Sequence, residues 1–120
     1  SDEVIVTNDI VELVNENQFV FLGRMDNVIN SGGIKLIPEQ IEEKLSGKID
    51  ARFFIASKED KELGEKVILV IEGEKQSINE TIFSELDKYE KPKEIHFVKH
   101  FEETATGKIV RKETVSKFMY

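Results

Sequence analysis

The sequence runs to 120 residues, the length of one compact domain or a domain with a short tail. Its 39% hydrophobic and 34% charged residues argue against disorder, and a net charge of -7 argues against nucleic acid or an anionic membrane surface as partner. The absence of cysteine excludes disulfides, thiolate metal sites and cysteine nucleophiles.

No apolar run approaches the roughly 18 residues that cross a bilayer, and no basic segment followed by an apolar one forms a leader, so a cytoplasmic setting is expected. The text starts at Ser1 and mid-motif, which we read as a cut from a longer chain. Ile10 to Val14 and Gln18 to Leu22 are β-rich runs around Asn15-Glu16-Asn17 and predict a hairpin. The stretch Gly23 to Gly33 has a glycine at one end and a glycine pair at the other, and at that pair the backbone can turn sharply or approach a ligand closely. Ile34 to Ile37 suits a short strand. Pro38 then stands where a first helical residue belongs, Glu39 adds charge to that turn, and Ile41 and Leu45 lie four apart, so a short helix ending near Gly47 is expected.

Ala51 to Ala56 and Lys66 to Ile71 read as strands separated by a turn at Asp60-Lys61-Glu62-Leu63-Gly64; Val67 to Ile71 is continuously apolar, as in a buried strand. Ile78, Ile82, Leu86 and Tyr89, with Phe83, form a helical stripe that stops before Pro92. Ile95 to Val98 predicts another strand, and Lys108 to Phe118 a final amphipathic helix. The expected class is α+β: a small sheet of about three strands with flanking helices, preceded by the β-hairpin.

Among residues that could carry chemistry, Lys108 follows a glycine in Thr104-Ala105-Thr106-Gly107-Lys108, where an ammonium can be delivered as a point charge to phosphate or carboxylate oxygens. A phosphate-cradling P-loop is excluded, because Glu102 stands where its first glycine belongs and Ile109 follows the lysine. On spacing alone, such a lysine is more often simply solvated. Arg24, Asp26 and the pair Gly32-Gly33 are a second candidate group, whose bland reading is a polar loop with a surface ion pair. Asp9 alone says little beyond capping a turn. His96 and His100 lack the helix and the adjacent glutamate of a zinc pair, since Phe97 stands there, so no metal site is expected.

Taken in order, these segments resemble the C-terminal domain of the adenylate-forming superfamily: acyl-CoA synthetases, peptide-synthetase adenylation domains and luciferases. Thr7-Asn8-Asp9-Ile10 resembles its Thr-Gly-Asp-Leu segment, and Gly23-Arg24-Met25-Asp26 its Gly-Arg-x-Asp hinge. Ser31-Gly32-Gly33 with Pro38 to Glu42 is similar to its glycine turn and Pro-x-x-Ile-Glu helix, and Thr104 to Arg111 to its Thr-x-x-Gly-Lys-x-x-Arg signature. The likeness covers nearly the whole chain.

The resemblance implies an ATP-dependent carboxylate–CoA ligase, acting with Mg2+ and coenzyme A, whose N-terminal adenylation domain in the same protein builds most of the active site. Asp9 would accept hydrogen bonds from the ribose hydroxyls, Arg24 would donate to the nucleotide, and Lys108 would bridge substrate carboxylate and nucleotide. Asp26 would be the hinge, with residues 1–23 the linker and hairpin leading to it and 24–120 a mobile α+β domain, and Gly32-Gly33 would be the loop lining the channel for coenzyme A. The wording of Asn27 to Gly33 is most similar to bacterial o-succinylbenzoate–CoA ligases of menaquinone synthesis, which implies a small carboxylic acid as substrate. A free-standing binding module of the same fold and a peptide-synthetase subdomain are the alternatives. Asn8 departs from the usual glycine, though it tolerates left-handed backbone, and Glu102-Glu103 stand where a proline and a basic residue are frequent.

Overall fold

A computed structural model describes residues 3–119, with side chains as far as Ser116. Ser1, Asp2 and Tyr120, the outer limits of the two expected regions, lie outside the described residues. The chain opens with β1 (Glu3–Val6), β2 (Asp9–Asn15) and β3 (Gln18–Arg24), an antiparallel meander in the order β1-β2-β3. The expected hairpin is β2–β3, and its turn is set by Asn15, whose Oδ1 accepts the Asn17 amide at 2.9 Å and whose Nδ2 donates to Gln18 at 2.8 Å. Strand β1 is an addition that the sequence did not announce. Phe19 and Phe21, two apart and so on one face, are each more than half exposed.

A second sheet follows from β4 (Ile29–Ser31), β5 (Ile34–Leu36), β6 (Phe53–Asp60), β7 (Gly64–Glu72) and β8 (Glu94–Val98). It has five strands, larger than the three or so expected, although the α+β class stands. Strand β7 is central: it runs antiparallel to β6 from Phe53↔Ile71 to Asp60↔Gly64 and parallel to β8, while Gly64 meets Ser31 of the β4–β5 hairpin. The apolar run in β7 is explained by cover on both faces. Val67, Leu69 and Ile71 point to one cluster, Ile68 and Val70 to the other.

Helix α1 (Pro38–Leu45) packs on the first face, with Ile41 and Leu45 fully buried; each such side chain contributes about 1.5–3 kcal/mol by leaving water. Phe54 and Phe101 fill the second face, with Ile109 and Val115 of the chain's C-terminal end packed beside them. Helix α2 (Arg111–Met119) starts three residues later than expected, because 102–110 is a loop.

The helical stripe from Ile78 to Tyr89 is a correction. That segment forms a 3-10 turn at Glu80–Phe83 and further turns, not an α-helix. Asn79 accepts the Thr81 amide and Asp87 accepts those of Tyr89 and Glu90, so local side-chain caps compete with helical bonding. Phe83 and Leu86 are buried all the same, with Ile78 and Ile82 packed against them, whereas Tyr89 is exposed. Burial of the apolar side chains thus mimicked a helical period without a helix.

Candidate functional site

Three of the expected site residues gather where β2 begins and β3 ends. Asp9 opens β2 and Arg24 closes β3, directly opposite one another in the ladder. Their side chains form an ion pair, Arg24 Nη1 to Asp9 Oδ1 at 2.6 Å, and both remain well exposed. Asp26 follows in a 3-10 turn at Met25–Asn27, where its Oδ2 accepts the Asn8 side-chain amide and the Met25 amide donates to the Asn8 carbonyl at 2.7 Å. Asn8 is therefore a link between the first strands and the Met25–Asn27 turn. The left-handed residue here is Thr7, with φ of 56°, rather than Asn8.

Helix α1 holds this turn from beneath. Glu39 Oε2 accepts the Arg24 amide at 3.0 Å and the Asn27 side-chain amide at 2.9 Å, and Gln40 donates to the Leu22 carbonyl at 2.8 Å. Glu39 thereby lies so close to Gly23 that a Cβ there would stand 2.6 Å from its Oε1.

Gly32 and Gly33 form the turn between β4 and β5. Both have positive φ, 58° and 83°, which side chains rarely adopt. The Gly32 amide donates to the Leu63 carbonyl at 2.8 Å, tying this turn to the β6–β7 turn, while Gly33 faces open space.

Lys108 sits apart on the loop between Phe101 and α2, all of whose residues from Glu103 to Lys108 are exposed. The loop is closed internally: Thr104 N–H donates to the Lys108 carbonyl at 2.8 Å, Lys108 N–H to Thr104 Oγ1 at 3.1 Å and Val110 N–H to the Glu102 carbonyl at 2.7 Å. The buried Thr114 hydroxyl secures both stems, accepting the Glu102 amide and donating to the Val110 carbonyl, each at 2.9 Å. No hydrogen bond or ion pair involves the Lys108 ammonium among the described residues. None joins it to Asp9, Arg24 or Asp26 either.

Ion pairs brace the ground around the loop. Arg111 is held bidentate by Glu42 of α1 and also donates to the Ile55 carbonyl at 3.1 Å. Burial works against its charge, but the Glu42 hydrogen bond and charge prevail and raise its pKa. Arg52 is forked onto Glu72, which pushes the Glu72 carboxyl down to about 2. Glu94 is likewise held at about 2, by Lys66 first and His96 second. An open cleft of about 620 Å³ lies between the Met25–Asn27 turn and α2, with Asp26, Val28, Lys58 and Arg111 in its walls. Neither Lys108, Asp9 nor the glycine pair lines it, so this cleft is not where those residues converge. The sequence pointed to neither Arg52 nor Thr114 and gave Glu39 no role beyond charge in the first turn of α1; the ties of Glu39 to Asn27 and Arg24, of Arg52 to Glu103 and of Thr114 to Glu102 span 12 to 51 positions.

No protein-family model matches the chain. Among curated proteins it is 32% identical over 123 residues to the mitochondrial acyl-coenzyme A synthetase ACSM1 of Mus musculus, covering 92% of this chain and 22% of that protein. It is 29% identical over 110 residues to the 2-succinylbenzoate–CoA ligase of Lactococcus lactis, covering 89% of this chain and 24% of that one. Among solved structures, an acyl-CoA synthetase (AMP-forming)/AMP-acid ligase II-like protein from Dyadobacter fermentans superposes with a TM-score of 0.73 at 39% identity, over 92% of this chain and 34% of its own. The chain belongs to the adenylate-forming superfamily. It spans about a quarter of the length of the curated relatives it matches, as a C-terminal domain of an adenylate-forming enzyme would.

Proposed function

We propose that this chain is the C-terminal domain of an ATP-dependent carboxylate–CoA ligase, acting on a small carboxylic acid such as o-succinylbenzoate in the cytoplasm. The observation that carries this reading is the Lys108 loop: its backbone is secured at both stems, yet its ammonium is exposed and unengaged among the described residues. A cation presented in this way can be inserted into a pocket built by another domain. There it would lie between substrate carboxylate and nucleotide and stabilise the charge that develops at the α-phosphoryl group. Asp9 would accept the ribose hydroxyls and Arg24 donate to the nucleotide; their mutual ion pair supports this by holding acceptor and donor side by side. Mg2+ would be held in the N-terminal domain, where it would neutralise the departing pyrophosphate.

Asp26 would be the pivot, with 1–23 on one side and 24–120 swinging on the other. The second pose would bring Gly32-Gly33 to the channel for coenzyme A, and the open space beside Gly33 supports that role. The N-terminal domain would cover the exposed Phe19 and Phe21. In the full-length enzyme, Lys108→Ala is expected to lower acyl-adenylate formation, measured by pyrophosphate exchange, by about 10²–10³-fold. Thioester formation from supplied adenylate should be spared. Equal loss in both half-reactions would refute the role.

A further inference from the structure

The internal bonds of the Lys108 loop fix its shape but not its tilt on the sheet. Tilt is set by whatever ties each stem to the domain beneath. The outgoing stem is tied by Arg111, and the incoming stem by one guanidinium that no motif contains. Arg52, just before β6, donates from Nε to Glu72 Oε1 at 2.8 Å and from Nη2 to Glu72 Oε2 at 2.6 Å. The same Nη2 also reaches Glu103 Oε1 at 2.6 Å. Glu72 completes the tie by accepting the Phe101 amide at 2.8 Å.

Glu103 is the decisive member. It bridges Ile109 across the loop, so the pull of Arg52 is applied one residue from Lys108. The two stems also share a column of rings and guanidiniums. Arg52 lies 5.6 Å from the Phe101 ring centroid, Phe101 lies 5.0 Å from Phe54, and Arg111 lies 5.5 Å from the Phe54 centroid. A planar fork is needed to engage Glu72 and Glu103 together while resting on a ring, and a lysine cannot do this.

We infer that Arg52 is a positioning residue for adenylation, which sets the aim of Lys108 through Glu103. This rests on the assignment of Lys108 to the adenylation step. A tie that only added stability would affect both half-reactions alike, whereas one that aims Lys108 should affect only the step that uses it.

The test is a double-mutant cycle in the full-length enzyme with Arg52→Lys, Glu103→Gln and both together. Pyrophosphate exchange would be followed with the acid that gives the fastest exchange in a panel of aromatic and aliphatic acids, with Lys108→Ala as reference. Each single change is expected to lower kcat of exchange about two- to fivefold, the range of an exposed ion pair. KM for ATP and the thioester step from supplied adenylate should not move, and the double variant should lose no more than the worse single one. Additive losses, equal losses in both steps, or unchanged exchange in variants whose Lys108→Ala reference collapses would each overturn the inference alone. Exchange that survives Lys108→Ala, or that no acid supports, would instead remove the assignment of Lys108 and the inference with it.

Discussion

Removing the carboxylate of Glu42 should cost this chain far more stability than a surface ion pair would suggest. The Glu42 side chain accepts two bonds from Arg111 and a third from the Ile55 amide at 2.8 Å, so it joins α1, β6 and α2 at one point. Its side chain is 18% exposed and that of Arg111 25%. Glu42→Ala leaves the guanidinium, among the described residues, with the Ile55 carbonyl, the Phe54 ring and the charge of Glu39. Breaking a fully buried pair costs about 3–5 kcal/mol and an exposed one about 0–1, so a pair this sheltered should cost about 2–3 kcal/mol. Out of a typical total of about 5–15 kcal/mol, that loss is large enough to lower Tm by on the order of 10 °C. Urea unfolding followed by far-ultraviolet circular dichroism measures it. Replacing both partners, Glu42→Leu with Arg111→Met, should recover most of the loss, because no uncompensated charge is then left buried. A loss under about 1 kcal/mol for Glu42→Ala would refute the reasoning, since the pair would be behaving as solvated charges do.

Two further outcomes follow from the geometry. Gly33→Ala should destabilise by about 1–2 kcal/mol through backbone strain alone, because φ is 83° there and the new Cβ meets nothing; Gly32→Ala should cost somewhat more, since its Cβ also stands 3.3 Å from Leu63. Urea midpoints of the two variants check the order. The carboxyls of Glu72 and Glu94 are depressed from 4.5 to about 2, so their stabilisation is fully present above pH 4.5 and is lost as pH falls from there toward 2. Screening by solvent limits the effect to about 1 kcal/mol each, and a urea midpoint that does not change across that window would contradict it.

Local signals were legible where one residue's chemistry decides the structure. Pro38 with Glu39, followed by Ile41 and Leu45, gave an α1 that begins and ends where those residues require. The unbroken run Val67 to Ile71 marked the central strand because both its faces are covered. Pairing was not legible. Strand β4 is three residues long and meets β7 at a single register point, and the parallel β7–β8 pair needs a crossover whose turns are capped by Asn79 and Asp87. At the candidate site, the motifs named Asp9, Arg24, Asp26 and Lys108. They could not reveal that the first two face one another across a ladder, or that Lys108 is held by Thr114 and Glu103.

The acidic surplus, 24 carboxylates against 17 cations, has a structural use that composition hides. Several of these acids accept backbone amides close to turns and loops: Glu39 from Arg24, Glu65 from Asn30, Glu72 from Phe101. Those amides flank the hinge turn, the glycine turn and the Lys108 loop, the three segments that the proposed function requires to be well placed. At the proposed hinge the consequence is specific. The proposed swing about Asp26 would break bonds that join residues before the pivot to residues beyond it, among them Arg24 to Glu39, Gln40 to Leu22 and Lys35 to Glu3, while the Asn8 contacts to Met25 and Asp26 lie at the pivot itself. It can keep the Asn27 side chain on Glu39, because both lie beyond the pivot. Each broken bond is exposed or half-buried and exchanges a protein partner for water at a small net cost. These hydrogen bonds are weak and separable, as the proposed alternation between two positions would require.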